Sequence, residues 1–183
     1  MQNAKPAIML FIVALASGLL LGSVNAYTLP EAKKQALITL DNNLNEIIYP
    51  EVAEFQPTEL ADESVINVYE AKQNGKTIAY VILSSSGGYG DVVEVLTGMD
   101  ASGNIIKIKI GSHSETPGLG AEAVKEVFTN QYIGKSEPLN VVKQNQGSND
   151  IQAITSATIT STAVTNAVNK ALDYYKNNLE GSR

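Results

Sequence analysis

The chain contains no cysteine. That one absence removes disulfides, thiolate nucleophiles, iron–sulfur ligation and cysteine-type zinc sites. Histidine occurs once, as His113, so a multi-histidine metal centre is excluded. No G-x-S-x-G elbow is present to build a serine triad around it. Basic residues are few and scattered, 13 Lys and Arg against 19 Asp and Glu for a net charge of −6, and Lys33-Lys34 is the sole adjacent pair. A polyanion is held by clustered cations that displace its counterions, so nucleic acid is not a partner. With side-chain chemistry this sparse, any reaction carried out here draws on a cofactor.

Charge is also missing from Ala7 to Ala26, AIMLFIVALASGLLLGSVNA, a run of about 20 residues and therefore long enough to span a hydrocarbon core. Lys5 precedes it, which favours an amino terminus inside and a body outside the cytoplasm. Two readings are open. The run is either a transmembrane anchor, which its length favours, or a cleaved signal peptide ending at Val24-Asn25-Ala26. Both deliver the remainder to the extracytoplasmic side. The anchor reading predicts a single-pass protein of the cell membrane.

What is present in the body is patterned. At 183 residues the chain has room for one ordinary domain and an anchor. Residues 1–27 are assigned to the anchor, 28–63 to an amphipathic helix and acidic linker, and 64–183 to the main domain. Leu37, Leu40, Leu44, Ile47 and Ile48 recur at helical spacing, so residues 28–49 read as a helix with Pro30 near its first turn and Pro50 beyond its end. Residues 51–63, interrupted by Pro57, read as a connecting loop. Strands follow. Residues 65–69 and 77–83 flank Asn74-Gly75, a hairpin signal. Residues 91–99 and 104–110 form a second pair, in which Ile106, Ile108 and Ile110 are expected inward and Lys107 and Lys109 outward. A short helix over 120–130 and weaker strands at 139–142 and 151–154 precede a terminal helix with an apolar stripe of Val164, Ala167, Val168, Ala171, Leu172 and Tyr175. Strands in the middle, helices at the ends and no βαβ alternation predict an α+β fold: a mainly antiparallel sheet with flanking helices, preceded by one amino-terminal transmembrane helix.

Two segments carry candidate chemistry. In His113-Ser114-Glu115-Thr116-Pro117-Gly118-Leu119-Gly120, the proline fixes φ and the glycines permit positive φ or a close backbone approach. The segment is either a strand-to-helix turn or the wall of a site. The second segment, Thr155-Ser156-Ala157-Thr158-Ile159-Thr160-Ser161-Thr162, is dense in hydroxyls and opens the terminal helix. Helix amino termini offer unpaired N–H groups and the positive end of the dipole, so a phosphate or other anion fits there. Plain N-capping accounts for one or two of the hydroxyls and leaves the others without a role.

TSATITS resembles the flavinylation motif of the FMN-binding domain family, Ser/Thr-Gly-Ala-Thr followed by a further Thr-Ser. HSETPGLG is similar to the family's second hallmark, and Gly87-Gly88-Tyr89-Gly90 before Asp91-Val92-Val93 to its third. The amino-terminal helix running into Thr28-Leu29-Pro30 resembles that of the family's members in Rnf complexes (their G subunits) and, less closely, of those in Na⁺-translocating NADH:quinone reductases (their C subunits). The resemblance implies FMN joined by a phosphoester to Thr158, delivered by a flavin transferase. It puts Ser156, Ala157, Ile159, Thr160 and Ser161 around the phosphate or ring edge, and Glu115, Thr116, Gly118, Leu119 and Gly120 in the ring pocket. His113 is expected to stabilise its loop. The implied function is electron relay within an Rnf-type ion-translocating ferredoxin:NAD⁺ oxidoreductase, with the other membrane subunits as partners. A stand-alone extracytoplasmic FMN-binding electron carrier, a C subunit of a Na⁺-translocating NADH:quinone reductase, and a structural membrane subunit whose hydroxyls merely cap a helix are the alternatives. The chain departs from the family pattern at Ser156, where glycine is usual, and at Gln152, where many members are acidic and Asp150 lies nearby.

Overall fold

The computed structural model describes residues 4–48, 54–60, 63–144 and 147–181. The chain divides into two compact units, Met1–Asn42 and Asn43–Arg183.

The first unit is helical throughout its described part. Helix α1 runs Ala4–Ile47 and ends inside the second unit. Within it Pro6–Asn25 is long and apolar enough to cross a membrane, with a mean hydropathy of 2.5 and no buried side chains. The expected start of a separate helix near Thr28 is corrected: the backbone stays helical through Pro30. A proline removes one N–H and so one ladder bond, but no glycine stands there to turn the chain. Thr28 Oγ1 donates back to the Val24 carbonyl at 2.9 Å, a bond that only a continuing helix allows.

The second unit is built on a five-stranded antiparallel sheet in the order β1-β2-β3-β4-β5. Its strands are β1 (Glu54–Thr58), β2 (Asn67–Gln73), β3 (Lys76–Gly87), β4 (Val92–Asp100) and β5 (Ile105–Ile110). Part of the expected loop over 51–63 is therefore strand. Pro57 tolerates that place because β1 is an edge, where a missing N–H breaks no ladder on the open side. The β2–β3 hairpin turns on Asn74 (φ 53°) and Gly75 (φ 76°), both left-handed as a tight primed turn requires. The inward set on β5 differs from simple alternation. Ile105, Ile108 and Ile110 are buried, while Ile106 is only half-buried. The pairing slips between Gly98 and Met99, so Gly98 faces Lys107 and Met99 faces Ile105; Ile106 is the extra residue of a bulge.

Helix α3 (Thr158–Tyr174) covers one face of the sheet, and its expected stripe from Val164 to Tyr175 is entirely buried. That stripe packs with Tyr80, Ile82, Val93, Val95, Met99, Ile105 and Ile108 in one core. Ser84, also on that face, donates to the Ala167 carbonyl at 2.7 Å. The last turn of α1 closes the opposite face. Leu44, Ile47 and Ile48 are buried, Ile47 meets Gly98, and Glu46 pairs with Lys107 and Lys109. The expected helix over 120–130 is three short turns: a 3₁₀ turn Gly120–Val124, helix α2 (Glu126–Thr129) and a second 3₁₀ turn Asn130–Tyr132. The weak strands form a separate parallel pair, β6 (Asn140–Val142) and β7 (Asp150–Gln152).

Candidate functional site

Three segments far apart in sequence meet where α3 begins: the turn between β3 and β4, the loop after β5, and the hydroxyl-rich run. They enclose an open cavity of about 530 Å³. From the loop come Glu115, Thr116, Leu119 and Gly120, and from the helix start Ser156, Ala157, Thr158, Ile159 and Thr160. The β3–β4 turn contributes Tyr89. Tyr89, Leu119 and Ile159 are 70, 43 and 56% exposed, giving the mouth an apolar rim. Nine of the eleven residues assigned to a site from sequence thus share one cavity. The other two do not line it. Gly118 (φ 77°) has open space around its Cα and uses its freedom for the turn. Ser161 is fully buried beneath the helix start, where its hydroxyl donates to the Ala157 carbonyl at 2.9 Å and accepts the Ile154 N–H at 3.0 Å. A larger cavity, about 950 Å³, lies beside Lys76, Ser102 and Tyr175 and holds no residue of either motif.

The start of α3 settles what the hydroxyls do locally. The N-cap is Ala157 (φ −134°, ψ 43°), and no side chain caps the first turn. Simple capping is therefore not their role, and the first turn has no capping side chain to accept from its N–H groups. Two of the hydroxyls point inward: Ser161, as described, and Thr160, which is 2% exposed. Thr158, one residue into the helix, is exposed at the cavity. Ser156 carries the chain into the helix at φ 63°, a left-handed conformation that favours glycine.

Glu115 is the site's buried charge, 6% exposed. Its Oε1 accepts the N–H of Tyr89 at 2.8 Å and of Gly90 at 3.1 Å, and its Oε2 accepts the Thr160 hydroxyl at 2.5 Å. Burial pushes its pKa up, but the bonds from Thr160, Gly90 and Tyr89 outweigh burial and hold the carboxyl below its ordinary value. His113 has the structural place expected of it: its Nδ1 accepts the Glu115 N–H at 3.4 Å. Gln152 and Asp150 both lie on β7, away from the cavity lining. Sequence reasoning did not assign Tyr89 to the site. The signal available was a lone aromatic among the glycines of Gly87-Gly88-Tyr89-Gly90. No cluster of metal-ligating side chains occurs among the described residues.

The arrangement fits a flavin mononucleotide in two respects. An uncapped helix start with an exposed hydroxyl suits a phosphate, and an apolar-rimmed cavity beside it suits a flat ring. The sequence profile of the FMN-binding domain matches residues 88–173, a span that contains all three segments. The chain is 36% identical to the G subunit of the proton-translocating ferredoxin:NAD(+) oxidoreductase complex of Clostridium ljungdahlii, over 90% of this chain and 86% of that protein. It is likewise 36% identical to the G subunit of the Na(+)-translocating ferredoxin:NAD(+) oxidoreductase complex of Acetobacterium woodii, over 94% of this chain and 91% of that one. Among solved structures the fold resembles the C subunit of the Na(+)-translocating NADH-quinone reductase of Parabacteroides distasonis, with a TM-score of 0.51 at 21% identity, covering 67% of this chain and 77% of the other. With its FMN-binding domain, the chain belongs to the family of G subunits of ion-translocating ferredoxin:NAD(+) oxidoreductase complexes of the Rnf type.

Proposed function

We propose that this protein is a membrane-anchored flavoprotein subunit that carries FMN covalently on Thr158 and relays electrons within an Rnf-type ion-translocating ferredoxin:NAD⁺ oxidoreductase complex. The observation that carries the reading is the position of Thr158, an exposed hydroxyl at the uncapped start of α3, in one cavity with the loop residues Thr116, Leu119 and Gly120. Thr160 and Ser161, the neighbouring hydroxyls, are buried and bonded within the protein. Bound FMN supplies one- and two-electron redox chemistry. The protein's residues hold it. The first-turn N–H groups of α3 and Ser156 would hold the phosphate, and Leu119, Ile159 and Tyr89 would hold the ring.

Attachment would draw on a flavin transferase and a flavin dinucleotide as donor: a P–O bond from the Thr158 oxygen would form as the pyrophosphate P–O bond breaks, AMP would leave, and the threonine proton would go to AMP or solvent. A covalent link keeps the flavin on the protein where no pool of free flavin replaces it. That is the circumstance of the extracytoplasmic side, and the Lys5 flank before the Pro6–Asn25 span supports that placement of the domain. Gly18 and Gly22, four residues apart on that span, form a small-residue pair that supports close contact with helices of the other membrane subunits.

The test is the intact mass of the protein from a host that carries the transferase. The expected result is one FMN less one water, located on the peptide containing Thr158. Thr158→Ala removes all covalent flavin, read as in-gel fluorescence after denaturation. Fluorescence persisting in Thr158→Ala overturns the assignment.

A further inference from the structure

Glu115 lines the cavity, yet its carboxylate is engaged by the protein itself. Its donors come from two other segments: the Tyr89 and Gly90 N–H groups of the β3–β4 turn, and the Thr160 hydroxyl of α3. Its own backbone N–H is directed to His113. Space has been cleared for this junction. A Cβ at Gly88 would strike Glu115 Oε1, and one at Gly90 would strike the Ser114 carbonyl. A Cβ at Gly120 would come within 2.5 Å of both Glu115 Oε2 and Thr160 Oγ1. Gly120 therefore stays small to make room for a carboxylate–hydroxyl pair.

The junction has a consequence for Thr158. Residues two apart on an α-helix point roughly 200° apart around its axis. The buried stripe of α3 turns Thr160 inward, and its bond to Glu115 pins the first turn in that rotation, with Thr158 outward at the cavity. The same carboxylate holds the turn that presents Tyr89 at the mouth.

We infer that Glu115 is a positioning residue, which ties the β3–β4 turn and the first turn of α3 to the HSETPGLG loop and thereby presents the Thr158 hydroxyl for transfer of the flavin phosphoryl group. The inference rests on the reading of Thr158 as the attachment residue. It assigns Glu115 to the acceptor geometry and not to the ring, and it makes Thr160 the partner of Glu115 and not a second acceptor. Loss of alignment at a reacting atom lowers turnover more than binding, because the encounter surface is unchanged.

The experiment uses the full-length chain, purified in detergent without flavin, mixed with flavin transferase and flavin adenine dinucleotide. Initial rates of covalent incorporation are measured over a range of chain concentrations. Glu115→Ala is expected to lower kcat by on the order of tenfold to a hundredfold with little change in KM. Glu115→Gln is expected to recover most of that rate, since its Oε1 accepts from Tyr89 and Gly90 while its Nε2 donates to Thr160 Oγ1. Thr160→Val keeps the side-chain shape and removes only one donor; it lowers kcat in the same direction, by less, and serves if Glu115→Ala does not fold. Wild-type kcat in folded Glu115→Ala or in Thr160→Val overturns the inference, as does a folded Glu115→Gln no faster than Glu115→Ala. A wild-type chain that takes no covalent flavin, or takes it on a residue other than Thr158, overturns the attachment reading itself.

Discussion

At Ser156 the backbone sits at φ 63°, which costs an L-residue about 1–2 kcal/mol relative to the right-handed regions. The motif this segment resembles has glycine at that place, and the backbone supplies the reason: the chain turns left-handed immediately before entering α3. Serine at 156 retains the turn under strain. Ser156→Gly is therefore expected to stabilise the domain by about 0.5–1 kcal/mol, the relief of strain less the entropy that glycine loses on folding. Thermal unfolding of the two proteins checks this. A lower melting temperature for Ser156→Gly would mean that the serine hydroxyl contributes more than the strain costs. Gly120 illustrates the reverse. It stands where sequence reading expects a close approach to the cofactor, but the close approach is to Glu115 and Thr160. A residue's tolerance was legible from its type; what crowds against it was not.

Among the elements, the last turn of α1 is the one whose role the sequence understates. Its periodicity marks Leu44, Ile47 and Ile48 as an apolar stripe, and the structure gives them a partner, the sheet face opposite α3. The compact unit accordingly begins at Asn43, ahead of the acidic linker. Ile47 is 2% exposed and meets Gly98, so Ile47→Ala is expected to cost about 2–4 kcal/mol by leaving a cavity on that face. The ion pairs beside it add a pH dependence. The hydrogen bond from Lys109, followed by the attraction of Lys109 and then of Lys107, holds the Glu46 carboxyl below its ordinary value despite some burial. A carboxyl lowered on folding stabilises the fold above the ordinary carboxylate range, and that stabilisation is lost as pH falls through the lowered value. Glu46→Gln should therefore melt below wild type at about pH 7 and approach it at about pH 3, with a gap at neutral pH that shrinks in high salt. A gap that stays constant with pH would show that Glu46 acts through packing and not through charge.

For the whole molecule, the apolar span Pro6–Asn25 with Lys5 before it supports the proposed placement of the flavin domain outside the cytoplasm. A reporter fused after Arg183 is expected to be active outside the cytoplasm, and extraction is expected to need detergent. A reporter active only inside would reverse the topology and remove the reason given for covalent attachment.

The sequence by itself determined the pattern-borne features. Helix and strand periods located the second half of α1, the β2–β3 and β4–β5 hairpins and α3, because each depends on residues within a few positions of one another. It also bounded the chemistry available, since the absence of cysteine removes thiolate chemistry and disulfides wherever the chain folds. Only the tertiary structure decided the rest. That Pro57 lies in an edge strand depends on which neighbour β1 lacks, and that Ile106 falls out of the core depends on the slip at Gly98 and Met99 across the ladder. The fate of the hydroxyls was decided the same way. Thr158 and Thr160 are alike in the sequence, and they differ because Thr160 falls on the face of α3 packed against the sheet, where a carboxylate 45 positions before it accepts its hydroxyl. Contacts between distant segments leave no periodic trace along the chain, so they appear only when the chain has folded.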